Sequence, residues 1–160
     1  MSYSLQDFNN AQWYLLRGIE QLEEGWYKAS FTNFSEVCRL RPNDPRGYLG
    51  KSEALFRQKT LEDATKEAQL AVGLMPKLAL HYLLAGQATV AEMELQSGSY
   101  NFVKPQAAVK ISPEDQSQCV QNLFNYFIER FEIYLSLKKD RSDESYNTLE
   151  FLRRYTEEMM

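Results

Sequence analysis

Histidine is nearly missing from this 160-residue chain: His81 is the only one, and cysteine occurs twice, at Cys38 and Cys119. One histidine with no second histidine or nearby cysteine excludes the usual metal sets. A Ser-His-Asp relay would have to use His81, with nothing to orient it and no oxyanion hole. The two cysteines lie far apart on apolar helix faces, so they read as reduced core thiols and predict a reducing, intracellular setting. A Gly-rich phosphate loop is also lacking. Gly47-Tyr48-Leu49-Gly50 falls inside a helical stretch, where glycine eases packing. Basic residues are outnumbered, 18 against 22 acids for a net charge of −4, which speaks against nucleic acid as the main partner.

Other absences narrow the class further. Lys138-Lys139 and Arg153-Arg154 are short, interleaved with acids, and read as solvated helix faces. Glu20, Glu23, Glu24 and Glu157-Glu158 read the same way, without the facing carboxylates that acid-base catalysis needs. No stretch approaches the roughly 20 continuous apolar residues of a membrane span. The start, MSYSLQDFNN, has neither a basic nor an apolar segment of a secretory signal. These features predict a cytoplasmic protein that is not an enzyme, with no cofactor, no metal, no nucleic-acid partner and no membrane partner.

What the chain does have is a period. Hydrophobic residues make up 44% and aromatics 13%, sufficient for a packed core. Tyr14, Tyr48 and Tyr82 recur every 34 residues, and Gly18, Ser52 and Gly86 follow each of them by four. A fixed period of that length marks stacked helical hairpins. The first copy, from Ala11, carries Tyr14, Gly18, Gly25, Tyr27, Ser30, Phe34, Val37, Leu40 and Pro42. The second, from Pro45, carries Tyr48, Ser52, Leu55, Leu61, Ala64, Ala68, Ala71, Leu74 and Pro76. Small residues at Gly18, Ser30, Ser52 and Ala64 let paired helices approach, while Pro42 and Pro76 stop the second helices. Asp44-Pro45 reads as an N-cap with proline at the first helical position, and Thr60-Leu61-Glu62-Asp63 as a capping box.

These positions resemble the tetratricopeptide repeat family, with two clear copies at about 11–44 and 45–78 and a divergent third. The third begins with Tyr82, Ala85 and Gly86, lacks a turn glycine near Met93, and runs on to about Gln96. An irregular stretch, 97–112, follows. Ser112-Pro113 then opens a capped helix of about 25 residues whose apolar positions cover roughly 220° of its circumference, a width that demands burial on two sides. Ser142 caps a last helix carrying Leu149, Phe151, Leu152 and Tyr155. The expected organisation is one domain: repeats over 1–96, the loop 97–112, and a C-terminal helical pair over 113–160. The resemblance implies an all-α, right-handed solenoid of about seven helices, ended by a long helix and a capping helix.

In that family the first helix of each repeat lines the concave groove. Carried over, the lining includes Leu15 and Ile19, then Arg46, Leu49, Glu53, Phe56 and Arg57, then Leu83, Leu84 and Gln87. The lysine, asparagine and arginine of the family's carboxylate-clamp co-chaperones are absent, since Leu15, Ile19, Gly50, Leu80 and Leu84 stand there. An apolar groove is covered in one of three ways: by helix 113–139 folding back in cis, by an amphipathic or extended segment of another protein, or by a second copy in a homodimer. The implied function is a non-catalytic adaptor, scaffold subunit or chaperone. The alternatives are a structural subunit of an oligomer, or a secretion-type chaperone for an apolar client. The chain is similar to bacterial type III translocator chaperones in size and architecture only, and its long C-terminal helix departs from them.

Overall fold

Two helical hairpins lead the chain, and their backbone geometry repeats at the 34-residue spacing. The computed structural model describes residues 5–75, 111–139 and 142–159, with side chains from Asn10 onward. The described residues form six α-helices and no strand: α1 (Leu5–Glu24), α2 (Tyr27–Leu40), α3 (Pro45–Arg57), α4 (Leu61–Leu74), α5 (Pro113–Lys138) and α6 (Asp143–Glu158). Residues 76–110, which hold the expected third copy and most of the 97–112 loop, lie outside the described residues, as does His81.

Each hairpin turn is a Schellman closure. In the first, the Gly25 N–H donates to the Leu22 carbonyl at 3.2 Å and the Trp26 N–H to the Gln21 carbonyl at 2.8 Å. In the second, the Lys59 N–H donates to Phe56 at 3.0 Å and the Thr60 N–H to Leu55 at 2.9 Å. The left-handed residue is Gly25 at φ +85° in one turn and Lys59 at φ +65° in the other. Glycine adopts this region freely, whereas a lysine there carries strain of about 1 kcal/mol. The residues that follow, Trp26 (φ −91°, ψ 71°) and Thr60 (φ −89°, ψ 71°), share one backbone conformation.

That shared conformation corrects one sequence expectation. Thr60 stands at the N-cap position of α4, yet its hydroxyl makes no cap hydrogen bond. A capping side chain needs extended backbone to reach the first turn, and the Schellman turn holds ψ at 71° instead. The other caps form as read. Asp44 accepts from the Arg46 N–H at 3.0 Å, Ser112 from the Asp115 N–H at 3.2 Å, and Ser142 from the Ser145 N–H at 3.3 Å.

Phe34 of α2 locks α1, α2 and α3 together. Its ring is buried, and a β-carbon at Gly18 of α1 would sit 2.8 Å from it; one at Gly50 of α3 would sit 2.4 Å away. The aromatic ring therefore lies between two bare backbones. Beside it, a β-carbon at Gly47 would fall 2.7 Å from the Cys38 Sγ, so α2 and α3 approach just as closely. In the second hairpin, Ser52 donates its hydroxyl to the Ala64 carbonyl at 2.8 Å, which uses the small-residue contact as a tether.

The larger core joins α3 and α4 to α5 and α6. Phe56 stacks on Phe124 with centroids 4.5 Å apart, and Phe127 adjoins both rings at 6.0 Å. Ala64, Ala68 and Ala71 make a flat, fully buried flank on α4 within the same core. Each phenylalanine withdrawn from water contributes about 1.5–3 kcal/mol. Leu149 and Leu152 of α6 close the other side, and Arg153 forms an ion pair with Glu132 of α5. Two-sided burial holds over the first part of α5, through Phe131. Near its end, Ile133 and Leu137 stand 59% and 79% exposed.

The Phe34 clamp sets a direct test. Gly50→Ala is expected to lower stability by about 1–3 kcal/mol through overpacking, because the ring has no free side to retreat to. Gly73→Ala in α4, where a β-carbon meets nothing within 4 Å, is expected to raise it by about 0.5–1 kcal/mol. Urea denaturation followed by circular dichroism measures both, and equal effects of one sign would contradict the clamp.

Candidate protein-binding groove

The clamp brings the inner faces of α1 and α3 side by side. Leu15 and Ile19 from α1 and Arg46, Leu49 and Glu53 from α3 line one pocket, with Phe34 and Gly50 at its base. Its remaining wall comes from α5, through Phe127 and Arg130. The free space left is about 40 Å³, room for two or three waters. Five of the expected groove residues are thus gathered into one site, and a helix from the same chain completes it.

Phe56 and Arg57 are placed differently. Phe56 is fully buried in the larger core against Phe124, so it anchors α5 rather than facing the pocket. Arg57 is 4% exposed and ties three helices. Its Nη1 donates to the Leu22 carbonyl of α1 at 3.0 Å, and its Nη2 lies 2.5 Å from Glu53 Oε2. The rings of Tyr27 and Phe131 flank the guanidinium at 5.9 and 5.3 Å. Glu53, itself 1% exposed, takes Arg130 of α5 on its other oxygen at 3.0 Å. The Glu53–Arg57 contact is an ion pair without hydrogen-bond alignment, since Glu53 Oε2 lacks a hydrogen-bond partner in acceptable geometry.

Arg46 serves its own helix end. Its Nε and Nη2 bond to Asp44 at 3.1 and 2.8 Å, and Arg41 approaches the same carboxylate at 3.6 Å. Asp44 is fully buried, so two arginines compensate a carboxylate that already caps α3. The charges of Arg46, Glu53 and Arg57, expected in the groove lining, are therefore largely spent inside the fold. Leu83, Leu84 and Gln87 lie outside the described residues. Phe127 belongs to the helix 113–139 expected to cover the groove in cis, whereas Arg130 was not among the expected groove residues; with Glu129 beside it in sequence, nothing local pointed to Glu53 as its partner.

A second opening adjoins the first and shares Arg130. It is a cleft of about 350 Å³ between the last turns of α1, which bring Glu20, Glu23 and Glu24, and those of α5, which bring Ile133 and Leu137. Arg57 and Arg130 form its floor.

Among the described residues no group of three or more potential metal ligands occurs, and no helix is long and apolar enough to cross a membrane. Neither cysteine forms a disulfide among the described residues. Burial pushes the Cys38 thiol up to about 12, with Lys51 opposing and Glu67 and Asp44 reinforcing the shift. Burial, with the negative charge of Asp115, raises Cys119 to about 11. Comparison with family models, with curated proteins and with solved structures finds no match to this chain.

Two predictions come from these groups. Glu53→Gln leaves Arg57 buried without its counter-charge and is expected to cost about 3–5 kcal/mol, whereas Glu53→Leu/Arg57→Leu recovers most of that loss. Urea midpoints of the two variants decide it; a double variant as unstable as the single one would contradict the pairing. The thiols supply the pH dependence. A thiol raised in the folded state stays protonated there, so its contribution to stability is full below the unfolded value of about 8.5 and is lost above it, up to about 11 for Cys119 and 12 for Cys38. Native protein at pH 8 is expected to react with a disulfide reagent about 100-fold or more slowly than a free cysteine, and to react fully once unfolded.

Proposed function

We propose that this chain is a tetratricopeptide-like, non-catalytic protein-interaction module, an adaptor, scaffold subunit or chaperone of the cytoplasm whose groove is partly filled by its own α5. The observation that carries the reading is the pocket shared by two successive hairpins: Leu15 and Ile19 from one and Leu49 from the next face Phe127 of an inserted helix. Helix-in-groove burial of this kind is the mode by which such surfaces take protein segments. The 34-residue repetition of turn, cap and helix geometry supports a solenoid of hairpins.

A second reading has its own observation. Trp13 and Leu16, one turn apart on α1, are 59% and 52% exposed, an apolar pair that a second copy would cover.

The chain tagged at its native abundance is expected to elute from fresh lysate in a complex with a different polypeptide at fixed stoichiometry. A chain that elutes alone at the mass of one copy overturns the reading. A pure dimer by light scattering moves the assignment to a structural oligomer.

A further inference from the structure

We propose that the end of α5 and the start of α6 form a clasp that closes onto the two hairpin turns, the arrangement described above being its open position. This goes beyond the protein-binding reading and holds whatever the groove takes. Each of the two helices is fixed away from this elbow. α5 is buried through Phe131, where Glu53 holds Arg130 at 3.0 Å. α6 is held by Leu152 in the core and by Tyr155, whose ring lies 6.2 Å from that of Phe124 and whose hydroxyl lies 3.4 Å from that of Thr65. Between these anchors, two clefts of about 350 Å³ each separate the elbow from the hairpin turns.

Both clefts carry opposite charges on their opposite walls. In the first, Glu20, Glu23 and Glu24 of α1 stand across from Lys138 of α5, while Arg57 and Arg130 on the floor are both engaged by Glu53. In the second, which Glu24 also lines, Lys59 of the second turn stands across from Glu144 of α6. Glu20 is held by Arg17 at 3.0 Å, but Glu23, Glu24, Lys59, Lys138 and Glu144 make no ion pair among the described residues. The two lysines rest over rings instead, Lys138 5.9 Å from Tyr134 and Lys59 5.4 Å from Phe151. Closure would pair Lys138 with Glu23 and Glu24, and Lys59 with Glu144. It would also lay the exposed Ile133 and Leu137 against the apolar stems of the α1 glutamates.

The backbone of Lys59 is a separate observation. This residue takes the left-handed position, φ +65°, that Gly25 fills in the other turn, where glycine sits without strain. The strained choice places an ammonium on the wall opposite Glu144. Strained backbone concentrates at switch regions. Exposed ion pairs are individually weak, so the open and closed positions differ little in free energy and both are populated. The first cleft shares Arg130 with the groove pocket, so closure covers that side of the pocket.

The test is a distance measured by double electron–electron resonance on the full chain, with spin labels at Lys28→Cys and Ser136→Cys, both exposed, and the buried native thiols left unlabelled. At low salt two distances are expected, that of the structure and a shorter one. Salt at about 1 M, which screens charges beyond about 3 Å, is expected to empty the shorter one. Lys138→Glu is expected to lower its population about 5-fold, and adding Glu23→Lys/Glu24→Lys to restore it. Lys59→Gly is expected to lower it too while raising the melting temperature, because the turn loses its strain as the clasp loses a charge. A single distance under every condition overturns the clasp. A shorter distance that persists in high salt and in Lys138→Glu, or one that the charge swap fails to restore, overturns the pairing that closes it and the proposal with it.

Discussion

Phe34 holds its place because two helices on either side of it have no side chain where the ring lies. Gly18 and Gly50 belong to different hairpins, so a single aromatic ring sets the spacing between α1 and α3 as well as the packing of α2 on each. Everything in the groove inherits that spacing. Leu15 and Ile19 line one pocket with Leu49 because the ring, and not a larger spacer, separates their backbones. Close-packed interiors transmit such constraints, since a displaced ring has no void to enter.

From that platform the structure builds outward through two different kinds of interaction. Apolar burial attaches α5, with Phe124 and Phe127 against Phe56 and the alanine flank of α4. Charge then fixes where along the groove α5 comes to rest, because Glu53 reaches Arg57 on one side and Arg130 on the other. Burial alone tolerates sliding and rotation; a buried carboxylate with two specific partners does not. Arg57 extends the tie to the Leu22 carbonyl, so the end of α1 is connected to α5 through one arginine and one glutamate. That connection leaves the open cleft beside it with defined walls.

Much of this was legible in residues taken in order. The 34-residue spacing of Tyr14 and Tyr48, the glycine at 25 and the prolines after α2 and α4 marked the hairpins. Asp44, Ser112 and Ser142 marked helix starts, because a cap acts over three residues and needs no distant neighbour. Thr60 failed as a cap for an equally local reason, the Schellman turn that Lys59 completes without being a glycine. The groove was harder to read. Leu15, Ile19, Arg46, Leu49 and Glu53 do gather in one pocket, but Phe56 faces the larger core and Arg46 is held by the cap.

Periodicity and capping are local, so the sequence by itself determined that the described chain is helical, where its helices begin and which pairs form hairpins. It also determined that α5 carries more apolar surface than one face can bury. Only the tertiary structure decided which side of that surface meets α3 and α4, and that Ile133 and Leu137 stay outside. Only it decided that the charges of Glu53 and Arg57 serve the interior while those of Glu23 and Glu24 face water. The reason is physical: the energy of a charge or an apolar face depends on what lies across from it, and residues 53 and 130 are made neighbours only by the packing of three helices.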